Sequence, residues 1–235
     1  MAINSQNDQN NYLWNTNNDS SDFSFLQENS RPAEITVGTL DRITVARSLI
    51  NKFRMCPVGM KDVNGQQFHS ACEDLIRRTL KDEFDDGISL KTEQRSIDII
   101  YNKNKQKHIK IRKYVDLSLR IDTPKNPNSI WKKFSTEYEC RQIIFECKNY
   151  SLGNPISRDE VFQLFDYLHP KRRGKLGIII CRNKDNITND AISVINRIRD
   201  DGYKIILIGQ EEIYKWLDDF SKNKVSNFFC DMDHN

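Results

Sequence analysis

The 235-residue sequence has no run approaching the roughly 20 apolar residues that a membrane helix needs. Nor does it open like a secretory precursor: MAINSQNDQNNY has neither the basic nor the apolar region of a signal peptide. The expectation is a cytoplasmic protein. Its six cysteines (Cys56, Cys72, Cys140, Cys147, Cys181, Cys230) form no CxxC pair, and no histidine is spaced to complete a zinc site. Several sit in apolar runs, as Cys181 does in GIIICR, so they read as small buried side chains kept reduced. Lysine and arginine are missing from residues 1–30, which hold Asp8, Asp19, Asp22 and Glu28. A charge of −4 there, against +3 for the whole chain, leaves +7 from Arg31 onward. A moderately basic body suits a polyanionic partner. There is no internal repeat, helix-turn-helix or zinc finger, so sharp sequence reading by such a module is not expected.

What is present divides at residue 36. Residues 1–36 are rich in Asn, Ser, Gln and Asp, with scattered aromatics (Tyr12, Trp14, Phe23, Phe25) and no sustained period. Such a segment cannot bury enough apolar surface to offset its ordering entropy, which predicts a disordered polar arm. The alternative is a peptide that docks by its aromatics. Residues 37–235 read as one domain. TLDRITVARSLINKFR places Leu40, Ile43, Ala46, Ile50 and Phe53 on one helical face, and residues 66–81 repeat that spacing with Phe68, Ala71, Cys72, Leu75, Ile76 and Thr79. The period then changes. SLKTEQRSIDIIYNKN, HIKIRKYVDLSLRI and ECRQIIFECKNY read as three strands, and residues 122–138 as an inserted loop with a helical turn. Beyond Tyr150 helix and strand alternate. SRDEVFQLFDYL opens with a capping box, Ser157 and Glu160; KLGIIICR and YKIILIG are buried strands; EEIYKWLDDF is the final helix. The order predicts an α/β domain with a mixed sheet.

The most informative segment is Arg141–Tyr150, RQIIFECKNY. Side chains two apart on a strand share a face, so Glu146 and Lys148 point one way and Cys147 the other. The first half of the strand is apolar on both faces, and charge emerges at its C-terminal end, where open α/β sheets place their ligands. Mg²⁺ favours hard carboxylate oxygens. Phosphodiester cleavage needs charge neutralised on the phosphate and a hydroxide near neutral pH, both of which a metal supplies. A lysine beside the metal can orient or deprotonate the attacking water. The plain alternative is an i,i+2 salt bridge of little consequence. On the first strand Asp98 stands among Ile97, Ile99 and Ile100, a costly place for a carboxylate unless a shared metal satisfies it. Asp98 is therefore expected to partner Glu146, with Asp116 in KYVDLSLR as the competing choice.

These segments, together with Phe68 and Glu73 on a helix, Gln163-Leu164-Phe165-Asp166-Tyr167 and Gly177–Arg182, resemble the PD-(D/E)XK restriction-endonuclease-like superfamily, most nearly its Mrr-type branch. The resemblance spans roughly residues 65–210. It implies an αβββαβ core whose mixed central sheet is flanked by helices, and a Mg²⁺-dependent DNA endonuclease of prokaryotic defence, with Mn²⁺ able to substitute. It implies a metal site of Asp98 and Glu146 with Lys148 beside it. Gln163 would orient substrate or water, and Glu73 would join as an outer acidic ligand. The sequence departs from the family pattern in having Ile97 where a proline precedes the strand aspartate, and His69 where an acidic residue often follows the helical Phe.

Residues 103–113 (KNKQKHIKIRK) hold six Lys or Arg and 171–175 (KRRGK) hold four. Clusters of this kind grip phosphates without reading sequence, so DNA is expected to be held mainly by its backbone. One active site cuts one strand. A homodimer is therefore expected, with Trp216 and Tyr214 of EEIYKWLDDF at a two-fold interface.

Overall fold

The computed structural model describes residues 37–59, 62–84, 89–101, 107–151, 153–169 and 173–234; for residue 37 and for 62–64, 92–101 and 107–114 it describes the backbone alone. The polar arm read into residues 1–36 lies outside the described residues. So do all the side chains of the basic stretch at 103–113, and Lys171 and Arg172. No described helix is long and apolar enough to cross a membrane.

The described chain is α/β. Five strands line up in sequence order: β1 (Leu90–Tyr101), β2 (Lys107–Arg120), β3 (Gln142–Lys148), β4 (Leu176–Cys181) and β5 (Lys204–Ile208). β1, β2 and β3 form an antiparallel meander, while β3, β4 and β5 run parallel. The division follows from the connections. Antiparallel neighbours can be joined directly, whereas parallel neighbours need a helical crossover. Those crossovers are α4 (Arg158–Phe165) and α5 (Asn189–Asp200).

α1 (Val37–Met55) and α2 (Asp62–Thr79) precede the sheet, as their apolar spacing predicts. Leu49, Ile50, Phe68, Cys72, Leu75 and Ile76 are all essentially sealed from solvent. β4 is buried along its whole length, as an internal parallel strand should be. α4 starts at the capping box foreseen from Ser157 and Glu160. It lies close on the sheet because Leu164 packs directly over Gly177 of β4. Five of the six cysteines are buried and all are free thiols, in keeping with the small-apolar reading.

Two expectations are corrected. Residues 122–138 are more than the expected loop with a helical turn. They contain an eight-residue helix, α3 (Ile130–Glu137), whose Ile130, Trp131 and Phe134 are buried. Nor is EEIYKWLDDF, within α6 (Gln210–Ser221), the last helix: α7 (Val225–His234) follows it. Phe228 of α7 stacks on Trp216 and Phe229 meets it edge-on, with centroids 5.4 and 4.8 Å from its ring, and Phe229 also meets Trp131 at 4.7 Å. Trp216 is consequently fully buried within its own chain and cannot form the two-fold contact expected of it. Aromatic pairs of this kind add about 0.5–1.5 kcal/mol each beyond the area they bury.

Candidate active site

β3 delivers Glu146 and Lys148 to one face, two residues apart. The lysine Nζ donates to Glu146 Oε1 at 2.7 Å. Gln163 of α4 donates from Nε2 to the same oxygen at 3.2 Å. Three of the residues named from sequence therefore meet at one carboxylate oxygen. The second oxygen, Oε2, is buried and has no hydrogen-bond partner among the described residues. Glu146 and Lys148 are only 2% and 7% exposed, so the pair sits in a protein interior rather than on a wet edge.

Of the two candidate aspartates, the register brings Asp116 to this pair. β2 and β3 pair Leu117 with Phe145, so Asp116 and Glu146 are the next residues along their strands. Asp116 Oδ2 accepts from the Cys147 backbone N–H at 2.7 Å. Asp98 lies opposite Lys110, well along β2 from Asp116, and its side chain is outside the described residues. A register shift between Arg95 and Ser96 separates the two stretches of the β1–β2 ladder. The preference for Asp98 rested on its apolar neighbours, which Asp116 shares. The signal that separates them is cross-strand pairing, and that is not a local property of the sequence.

Glu73 is bonded within its own helix. Its Oε1 accepts from Arg77 Nε at 2.7 Å, an i,i+4 pair whose arginine also reaches the Leu90 carbonyl. No described contact joins it to Glu146. His69 of α2 reaches toward the site, with Nε2 3.2 Å from the Asp116 carbonyl oxygen.

Electrostatics follow from this burial. Loss of solvent pushes the Glu146 carboxyl up to about 7, with the Asp116 charge adding to the rise and Lys148 opposing it. For Lys148 burial acts downward, but the charge and hydrogen bond of Glu146 outweigh it and hold the amine above its ordinary value. Tyr150 lies near enough to feel the charges of Lys148 and Glu146. Its hydroxyl donates to Glu160 Oε1 at 2.8 Å, and burial raises it to about 12. Glu160 also completes the α4 capping box through its other oxygen. Burial works against its charge, but bonds from Ser157 and Tyr150 prevail and lower its pKa. One side chain thus ties the start of α4, and so the placement of Gln163 a turn later, to the segment following Lys148. The capping box was legible in the sequence, but its bond to Tyr150 was not.

No family model, curated protein or solved structure matches this chain. The site must be judged on its own chemistry. Among the described residues no three His, Cys, Asp or Glu side chains converge in a metal cage. What converges is a pair of carboxylates, Asp116 and Glu146, with a lysine and a glutamine. Mg²⁺ is commonly held by one or two carboxylates, its remaining positions filled by waters and substrate phosphates. The unpartnered Oε2 of Glu146 fits such a donor set, since a buried lone carboxylate oxygen costs free energy until a cation or donor meets it.

Proposed function

We propose that the chain is a Mg²⁺-dependent endonuclease that hydrolyses DNA phosphodiesters, built on a restriction-endonuclease-like core. The observation that carries this reading is the arrangement at Glu146: Oε1 shared by Lys148 and Gln163, Oε2 buried without a partner, and Asp116 on the next strand. Asp116 and Glu146 would hold the metal. When bound, Mg²⁺, or Mn²⁺ in its place, neutralises phosphate charge and makes water a stronger acid.

The chain's own groups have separate tasks. Lys148, charged at neutral pH, acts as a donor that orients a phosphate oxygen or the attacking water, not as a base. Gln163 holds Glu146 in line and offers its amide to the same water. Burial of Glu146 and Lys148 keeps bulk solvent from the pair, which strengthens the charges there. The antiparallel meander followed by α4 and β4 fits the αβββαβ core. A cytoplasmic role in defence against foreign DNA follows from the resemblance of the ECKNY stretch and its neighbours. DNA would be gripped through its phosphates by the basic body. A double-strand break requires two such sites, so the working enzyme is a homodimer whose interface avoids the buried Trp216.

A second reading, a non-catalytic module that binds DNA or protein, draws on the near-complete burial of Glu146 and Lys148. One experiment separates them. Supercoiled plasmid and single-stranded RNA are incubated with purified protein and Mg²⁺ or Mn²⁺, alongside Glu146→Gln, Lys148→Ala, Asp116→Asn and Asp98→Asn. The nuclease reading expects Mg²⁺-dependent DNA cleavage, lost in the first three variants and kept in the fourth. A wild-type protein that cuts neither nucleic acid with either metal belongs to the second reading.

A further inference from the structure

We propose that Arg182 is a positioning residue for Lys148, acting through Asn149 to fix the end of β3. Lys148 is the last residue of its strand, and its pairing with Cys181 is the last rung between β3 and β4. A strand end ordinarily frays, because beyond it no ladder holds the backbone. An amine that must stay 2.7 Å from a buried carboxylate tolerates little fraying.

The residues just past that rung are locked together. Arg182 Nε donates to Asn149 Oδ1 at 2.6 Å. Its Nη2 donates to the Cys56 carbonyl and, at 3.5 Å, to that of Pro57. Asn149 Nδ2 donates in turn to the carbonyls of Pro57 and Gly59, at 2.8 and 2.7 Å. The circuit closes where the Gly59 N–H donates to the Asn149 carbonyl at 3.0 Å. Asn149 is fully buried and Arg182 nearly so, with its guanidinium 5.5 Å from the centre of the Phe68 ring. The ends of β3 and β4 are thereby stitched to residues 56–59, just past α1.

A buried cation is costly to keep, and burial holds the Arg182 pKa below its ordinary value. Two apolar side chains would pack this corner more cheaply. What the guanidinium adds is a rigid planar fork whose donors fix several acceptors at once, a geometry that a lysine cannot copy. Held this way, Asn149 gives the backbone at Lys148 one conformation, and the amine is aimed at Glu146.

Limited acetylation tests this. Folded wild-type, Arg182→Met and Arg182→Lys proteins are treated with substoichiometric acetic anhydride, and labelling at Lys148 is measured by mass spectrometry against the exposed Lys215. Lys148 should label several-fold faster in Arg182→Met, with Arg182→Lys intermediate and Lys215 unchanged. Mg²⁺-dependent cleavage is followed in parallel, and this arm alone rests on the nuclease reading. There kcat should fall about 100-fold in Arg182→Met, as expected for a displaced catalytic group, with KM within about twofold. Wild-type labelling of Lys148 in a folded Arg182→Met protein overturns the proposal. If that variant does not fold, wild-type labelling in Arg182→Lys overturns it equally. Should wild type cut nothing while Lys148 labelling still responds, the positioning role stands and the nuclease reading falls.

Discussion

Gly177 of β4 lies so close under Leu164 of α4 that a Cβ on the glycine would sit 2.9 Å from the leucine side chain. Both residues are in the core, and Gln163, the neighbour of Leu164, is the residue that reaches Glu146. The missing methyl group therefore sets how near the site helix comes to the sheet. The substitution Gly177→Ala should lift α4 and pull the amide of Gln163 off the carboxylate. Overpacking of this kind costs about 1–3 kcal/mol. Thermal unfolding should show the loss, and the cleavage rate should fall with it. An unchanged melting temperature and rate would mean that Leu164 simply changes rotamer.

A second expectation concerns pH and metal. Glu146 is raised to about 7 in the folded chain, mainly by burial, well above its ordinary 4.5. A carboxyl raised on folding favours the native state while it stays protonated, so its stabilising share is full below about pH 4.5 and is lost as pH rises through about 7. A cation must displace that proton. Affinity for Mn²⁺, followed by calorimetry, should climb as pH rises from about 5 to 7 and level off above. Glu146→Gln should flatten the profile. A wild-type profile already flat below pH 6 would remove Glu146 from the ligand set.

Asp233 behaves in the opposite sense. It accepts from Lys133 Nζ and from the Tyr138 hydroxyl, and so pins α7 to α3 and the residue after it. Burial alone would raise its pKa, but these two donors prevail and lower it below 3.8. Its contribution is therefore present above the ordinary aspartate range and lost as pH falls through the lowered value. Asp233→Asn should cost about 1–3 kcal/mol at pH 7, with Lys133 counting for less because it is half exposed. The deficit measured by urea unfolding should shrink below pH 4. A deficit constant from pH 7 to pH 3 would show that the charge is irrelevant.

Much of the molecule follows from local pattern. Alternation along β3 is enough to put Glu146 and Lys148 on one face, because the strand period of two is a property of the backbone itself. The capping box at Ser157 and Glu160, and the helical stripe behind it, likewise locate α4 from neighbours a few residues apart. Tertiary structure decided what depends on partners distant in the chain. Asp98 and Asp116 have nearly the same neighbours in sequence, and only the β2–β3 register and the irregularity at Arg95/Ser96 distinguish them. Trp216 looks equally suited to an interface or a core until Phe228 and Phe229 fold over it. The pairing of Asn149 with Arg182 carries no local signal, since hydrogen bonds between residues 33 positions apart exist only once β3 and β4 lie side by side.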